Sequence, residues 1–304
     1  MPRLSGIFAA AATPLRSDLS IDEEKLVGHC RWLLGEGGND GVNLLGTTGE
    51  ATSFSVEQRL AAMRAVARSG LPMNRFMVGT GAAALQDAVT LTKAARELGY
   101  AGALLLPPFY YKGISDAALE DYVGRVIERA CGGGFGLYLY HIPQMSAVPY
   151  PVEVVERLAK RFPDVLAGIK DSSGDLQNAE ALVERVTSIA VFPGSEAILA
   201  KLPEVKFAGC ISGTTNVTGA IVSRGWKARS TSAGAQALKS ALEIRAVIQD
   251  FPLIQAVKWL LAEMRGDAEW RRMHPPLANL PEEDWLRLRS RIAETELFRN
   301  HVAG

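Results

Sequence analysis

One repeated pattern constrains this chain more than any other: short apolar runs rich in small and β-branched residues each leave through a polar loop and are followed by an amphipathic helical stretch. Runs at Gly6–Ala12, Gly41–Leu45, Phe76–Gly79, Ala101–Leu106, Gly136–Tyr140, Val165–Lys170, Ile189–Phe192 and Gly209–Ser212 predict eight strands. The spacing between them predicts helices over Asp22–Leu34, Val56–Ser69, Leu85–Leu98, Asp116–Cys131, Val152–Arg161, Leu176–Val186 and Ala197–Leu202. Ser55 with Gln58 three positions on, and Ser115 before Asp116, read as N-caps, and Pro151 suits a first helical turn. Strand and helix in alternation imply parallel strands joined by right-handed crossovers. Eight such units within about 225 residues predict an α/β fold of the closed (β/α)8 TIM barrel kind. An open doubly wound sheet is the competing fold, but no GxGxxG follows the first strand.

Beyond residue 225 the strand signal stops, and helices are predicted over Gly234–Gln249, Ile254–Arg265 and Glu282–Arg299, the last two separated by Met273-His274-Pro275-Pro276-Leu277. Trp259, Leu260, Trp285 and Leu286 give these helices apolar faces that must pack on the barrel or on a neighbouring subunit. The expected organisation is a barrel over 1–225 and a C-terminal helical extension over 226–304.

Composition narrows the function. Lys plus Arg and Asp plus Glu balance at 33 each, so the broad basic surface that nucleic acid or anionic membrane requires is not indicated, and a small-molecule partner is expected. The three cysteines, Cys30, Cys131 and Cys210, are odd in number and far apart, which argues against a disulfide framework. His29, His141, His274 and His301 show no ligand spacing, so neither a structural metal nor a cofactor is expected. The Gly6–Ala12 run is short for a secretion signal, is preceded by one basic residue and runs into Thr13-Pro14-Leu15, so it reads as a strand. A cytoplasmic location follows as the expectation.

In a barrel the chemistry collects at the C-terminal ends of the strands. Those positions hold Gly46-Thr47-Thr48-Gly49-Glu50, Pro107-Pro108-Phe109-Tyr110-Tyr111, Tyr140-His141, Lys170, Gly194-Ser195-Glu196 and Gly213. Lys170 ends an apolar run and precedes Asp171-Ser172-Ser173-Gly174-Asp175, which places its amine at the edge of a low-dielectric core. Desolvation favours a neutral amine, the form that attacks a carbonyl to give a Schiff base; a solvated lysine capping a strand is the ordinary alternative. Thr47 and Thr48 sit in a glycine-flanked turn whose N–H groups suit a carboxylate, or they form a locally satisfied turn. Tyr140 has a phenol able to shuttle protons, or one simply bonded at the core boundary. Glu196 suits substrate hydroxyls, or a helix first turn. His141 is a second acid–base candidate or a structural donor.

The segments Gly46-Thr47-Thr48-Gly49-Glu50, Tyr140-His141-Ile142-Pro143, Gly168-Ile169-Lys170-Asp171-Ser172-Ser173-Gly174-Asp175 and Gly209-Cys210-Ile211-Ser212-Gly213-Thr214-Thr215-Asn216-Val217, in this order and spacing, resemble the dihydrodipicolinate synthase/N-acetylneuraminate lyase family. The resemblance implies a TIM barrel whose lysine forms a Schiff base with pyruvate or another 2-oxo acid. Carried over, Lys170 is that lysine, Tyr140 the acid–base tyrosine, Thr47 a relay hydroxyl and Thr48 part of the carboxylate site. Tyr110 resembles a relay tyrosine that reaches a neighbouring subunit, which implies a homodimer or homotetramer. Ile211 would line the pyruvate pocket, with Gly194, Glu196, Ser172 and Gly213 as further substrate-binding positions.

Two departures qualify the resemblance. Met145 stands where the synthases carry an arginine for the carboxylate of the second substrate, and methionine offers neither charge nor fork. Ala197, not a second acid, follows Glu196. The pattern around Lys170 is similar to aldolases and dehydratases of 2-keto-3-deoxy sugar acids or of 4-hydroxy-2-oxoglutarate, with Ser172, Ser173 and Glu196 expected to meet substrate hydroxyls. Authentic 4-hydroxy-tetrahydrodipicolinate synthase and a non-catalytic 2-oxo acid binding regulator are the alternatives.

Overall fold

In a computed structural model describing residues 4–299, the strands are β1 (Gly6–Ala10), β2 (Gly41–Leu44), β3 (Phe76–Gly79), β4 (Gly102–Leu105), β5 (Gly136–His141), β6 (Leu166–Asp171), β7 (Ala190–Pro193) and β8 (Gly209–Ser212). The pairings among these strands are all parallel, in the order β7-β6-β5-β4-β3-β2-β1-β8. Ala208 N donates to Val191 O at 2.9 Å across the remaining gap, so the ring is nearly closed, a TIM barrel.

Side chains alternate along each strand, so residues two apart share the barrel interior. Phe8, Met77, Tyr138 and Phe192 are buried there, with Tyr138 and Phe8 each edge-on to Phe192 at 6.1 and 5.9 Å. Two residues further along β5, Tyr140 faces the same interior. The opposite strand faces carry the larger cluster packed beneath the helices.

The capping box at Ser55 forms: Ser55 Oγ accepts from Gln58 N, and Gln58 Oε1 accepts from Ser55 N. Ser115 caps its helix at Ala118 N. Many element ends shift by one or two residues from expectation, and three differences have a physical reason. β1 ends at Ala10 rather than Ala12, because Ala12 N leaves the ladder for Asn216 Oδ1 at 3.0 Å. A helix over Thr215–Lys227 closes the eighth unit although Thr215, Val217, Thr218 and Gly219 have poor helix propensity; tertiary burial of that turn overrides it. The predicted Glu282–Arg299 helix divides into Glu282–Ile292 and Glu296–Arg299, with Thr295 Oγ1 donating to Ile292 O at 2.7 Å in between.

Asn216 ties the fold beneath the site. Its Nδ2 donates to Ala10 O at 2.8 Å and Gly213 O at 2.7 Å, and its Oδ1 lies 3.0 Å from His29 Nε2. Arg265 Nη2 lies 3.0 Å from His29 Nδ1. Burial, with the Arg265 charge beside it, pushes the imidazole down from 6.5 to about 3 against the Asn216 hydrogen bond. Between those values the unfolded chain binds a proton that the folded protein does not, so stability is full above pH 6.5 and falls as pH drops through the window. The slope for one such proton is about 1.4 kcal/mol per pH unit. Thermal unfolding followed from pH 7 to 4 should show this loss, and His29→Gln should flatten it; an unchanged slope in the variant would remove His29 as its source.

Candidate active site

Lys170 is the inward-facing residue near the end of β6, 5% exposed, and registers with Tyr140 of β5. Its Nζ lies 4.3 Å from the centre of the Tyr140 ring. Tyr140 Oη lies 3.3 Å from Thr47 Oγ1, so residues from β5, β6 and the loop after β2 converge at one mouth of the barrel. Burial raises the Tyr140 phenol, but the Lys170 charge and hydrogen bonds with Thr47, Lys170 and Ser172 outweigh it, leaving the phenol below its ordinary 10.

The turn after β2 is closed by Glu50 N donating to Thr47 O at 3.0 Å and Ala51 N to Gly46 O at 3.2 Å. Among the described residues the N–H groups of Thr47 and Thr48 have no protein acceptor, which leaves two donors side by side for a carboxylate. Thr48 abuts the end of β8: a Cβ on Gly213 would stand 2.8 Å from Thr48 Oγ1, so any side chain there would displace the Thr48 hydroxyl. Ile211 of β8 is fully buried in the interior cluster that includes Tyr140.

A cleft of about 720 Å3, the open solvent at its mouth included, lies beside these groups. Thr47 and Tyr140 stand at its polar side, and Leu104, Phe109, Ile142 and Met145 supply apolar wall. Met145 is 61% exposed. Arg59, which sequence reasoning did not single out, also lines the cleft while donating to Gly79 O at 2.8 Å and Gly81 O at 3.1 Å; burial pushes it down to about 10. Lys170 is not in the cleft wall; Tyr140 is common to the cleft and to the amine.

The remaining candidates fall in three groups. Ser172 and Gly194 are packed together, since a Cβ on Gly194 would stand 2.0 Å from Ser172 Oγ, and Ser172 O accepts from Gln144 at 2.7 Å. Ser173 Oγ is engaged by the Asp175 N–H at 3.1 Å. Tyr110 and Tyr111 lie 73% and 72% exposed, edge to face at 5.2 Å, and follow Phe109 of the cleft wall. Glu196 is placed differently from the expectation of a hydroxyl-binding acid. It is fully buried, with Ser212 Oγ donating at 2.7 Å, Arg245 Nη1 at 2.8 Å and Thr214 Oγ1 also donating, so its carboxylate is consumed inside the protein. Arg245 carries the signal that was available: one basic side chain in the apolar run Ile244-Arg245-Ala246-Val247. His141 alternates away from Tyr140, and its Nδ1 accepts from Tyr150 N at 2.9 Å, a structural role.

The sequence profile described as the Dihydrodipicolinate synthetase family matches residues 3–295. An uncharacterized DapA-like lyase of Chloroflexus aurantiacus is 35% identical over 208 residues, 68% of this chain and 69% of the relative. A 4-hydroxy-tetrahydrodipicolinate synthase of Pseudomonas aeruginosa is 32% identical over 267 residues, 86% of this chain and 88% of the relative. Among solved structures, dihydrodipicolinate synthase from Agrobacterium tumefaciens superposes with a TM-score of 0.86 at 28% identity, covering 96% of this chain and 99% of that one.

Proposed function

The chain belongs to the dihydrodipicolinate synthetase family of class I aldolases and lyases, and from that premise we propose that Lys170 forms the Schiff base with pyruvate or a related 2-oxo acid. The observation that carries this reading is the buried Lys170 amine beside the Tyr140 ring, whose phenol meets Thr47 at 3.3 Å.

The 2-oxo acid sits with its carboxylate on the Thr47 and Thr48 N–H donors and its C2 carbonyl toward Lys170. The unprotonated amine attacks C2, and the carbonyl π pair becomes the carbinolamine hydroxyl, protonated through Tyr140. Transfer of one amine proton and loss of that hydroxyl as water gives the iminium. In the cleavage direction the C4 hydroxyl proton is removed, the C3–C4 pair flows into the iminium, and an aldehyde leaves an enamine behind. Protonation of the enamine at C3 and hydrolysis return pyruvate and Lys170. Condensation runs the same steps in reverse. Thr47 relays protons between Tyr140 and the cleft.

The tail is the finer question. Met145 brings no charge to the cleft, which disfavours an aldehyde held by its own carboxylate, and so supports a 2-keto-3-deoxy sugar acid, cleaved or dehydrated, over 4-hydroxy-2-oxoglutarate and aspartate semialdehyde, whose aldehyde halves both carry one. The exposed Tyr110–Tyr111 pair supports a second copy covering that loop, as in a homodimer or homotetramer.

Two measurements test the reading. Borohydride added with pyruvate should leave one covalent adduct at Lys170, and an unmodified Lys170 at saturating pyruvate would sink the mechanism. A panel of 2-keto-3-deoxy sugar acids, 4-hydroxy-2-oxoglutarate, N-acetylneuraminate and aspartate semialdehyde with pyruvate then assigns the tail; preference for aspartate semialdehyde would establish the synthase instead. Met145→Arg should lower KM for the semialdehyde by about tenfold, the worth of one charge-assisted hydrogen bond, with pyruvate trapping unchanged. No gain in that variant would show that position 145 does not select the tail.

A further inference from the structure

Glu50 and Lys258 form an ion pair at 2.6 Å in which both side chains are fully buried. Glu50 ends the turn that carries Thr47 and Thr48 and holds left-handed backbone at φ 56°, unusual for a residue with a Cβ. Both its carboxylate oxygens are taken: Oε1 accepts from Lys258 Nζ, and Oε2 accepts from His274 N at 2.8 Å. Lys258 lies in the helix Leu253–Arg265, which belongs to the C-terminal helices. Leu253, at the start of that helix, lies 3.4 Å from where a Gly213 Cβ would be, on the same glycine that Thr48 abuts. The helix therefore meets the 46–50 turn at the ion pair, and its first turn reaches Gly213, the glycine that Thr48 abuts.

Nothing in the Schiff-base chemistry uses either charge, and neither is accessible to substrate. A buried pair of this kind is seldom more stabilising than apolar residues of the same shape, but it has strict geometric demands that apolar packing lacks. Its partners here are a strained turn residue and a helix 208 positions away in sequence.

We propose that Glu50 and Lys258 are positioning residues through which the C-terminal helix sets the 46–50 turn, so that Thr47 Oγ1 meets Tyr140 and the Thr47 and Thr48 N–H groups face the 2-oxo acid carboxylate. This rests on the Schiff-base reading above. Residues that touch no substrate thus govern both the affinity for the 2-oxo acid and the proton relay. His274 N completes the hold from the segment after the helix.

The decisive variant is Glu50→Gln combined with Lys258→Met, which strands no charge and keeps an oxygen for His274 N. Its thermal midpoint should stay within about 5 °C of the parent, as expected when a whole buried pair is removed. The borohydride adduct should still form at Lys170, but half-saturation by pyruvate should need about tenfold more pyruvate, and turnover should fall about tenfold. A folded double variant with parental half-saturation and turnover overturns the proposal. Should the double variant not fold, Lys258→Arg, which keeps the charge and changes its reach, decides by the same readout: weaker pyruvate saturation supports the positioning role, and parental kinetics overturn it. An absent adduct in the parent enzyme would instead sink the Schiff-base reading, so the two failures are distinguishable.

Discussion

Replacing Lys170 with alanine should reduce turnover of any accepted 2-oxo acid by at least about 10^4-fold while leaving the barrel folded, because no other group can supply the covalent electron sink. The side chain is 95% hidden and stacks its amine 4.3 Å from the Tyr140 ring, so its loss empties a small volume at the mouth without touching the aromatic layer of Phe8, Tyr138 and Phe192. Circular dichroism and the thermal midpoint should report a native fold, and mass spectrometry after borohydride with pyruvate should find no adduct. Lys170→Arg should behave in the same way, since guanidinium stays protonated and is no nucleophile. Retention of more than a tenth of the parental rate in either variant would exclude a Schiff base at this residue.

Tyr140→Phe should lower turnover by about 10^2 to 10^3-fold, the usual worth of a positioned acid–base group, and leave pyruvate half-saturation within about threefold. The ring keeps its contact with Lys170, while the phenol and its 3.3 Å contact with Thr47 are lost. Borohydride trapping should survive but become slow. Burial opposes ionisation of the phenol, yet Lys170 and the surrounding hydrogen bonds prevail and hold it below its ordinary 10. A group that must donate its proton therefore limits turnover on the alkaline side below pH 10: activity falls as pH rises through the phenol's range. That limb should be missing from the residual activity of the variant. A parental rate, or an alkaline limb that persists unchanged, would take Tyr140 out of the relay.

The inward placement of Tyr140 and Lys170 at their strand ends is legible in the sequence because its signals are local. An apolar run of strand length sets the alternation that turns Tyr140 and Lys170 inward, and the polar segment after each marks the end at which a barrel collects its chemistry. The glycines around Thr47 and Thr48 likewise announce a turn with open N–H groups. Glu196 looked equally local, as a strand-end acid at a helix start; it does open the helix Glu196–Lys201, but local reading could not show where its carboxylate goes. Arg245, which binds its carboxylate, is 49 residues away, on a helix whose apolar period conceals its one buried basic position. Lys258, between Val257 and Trp259, is concealed in the same way. A single charge in an apolar helix face is a usable sign that some buried partner exists, but not which one.

Periodicity and turn chemistry, which act over a few residues, thus specified the eight strands, their parallel sense and the amine at the end of the sixth. Long-range packing decided whether a charge faces the cleft or another charge: Glu196 was withdrawn by Arg245, and Glu50 was locked by Lys258 at a separation of 208 residues. The reason is physical. A buried carboxylate must find a cation or hydrogen-bond donors wherever the fold brings them, and only the folded chain sets which distant side chain arrives.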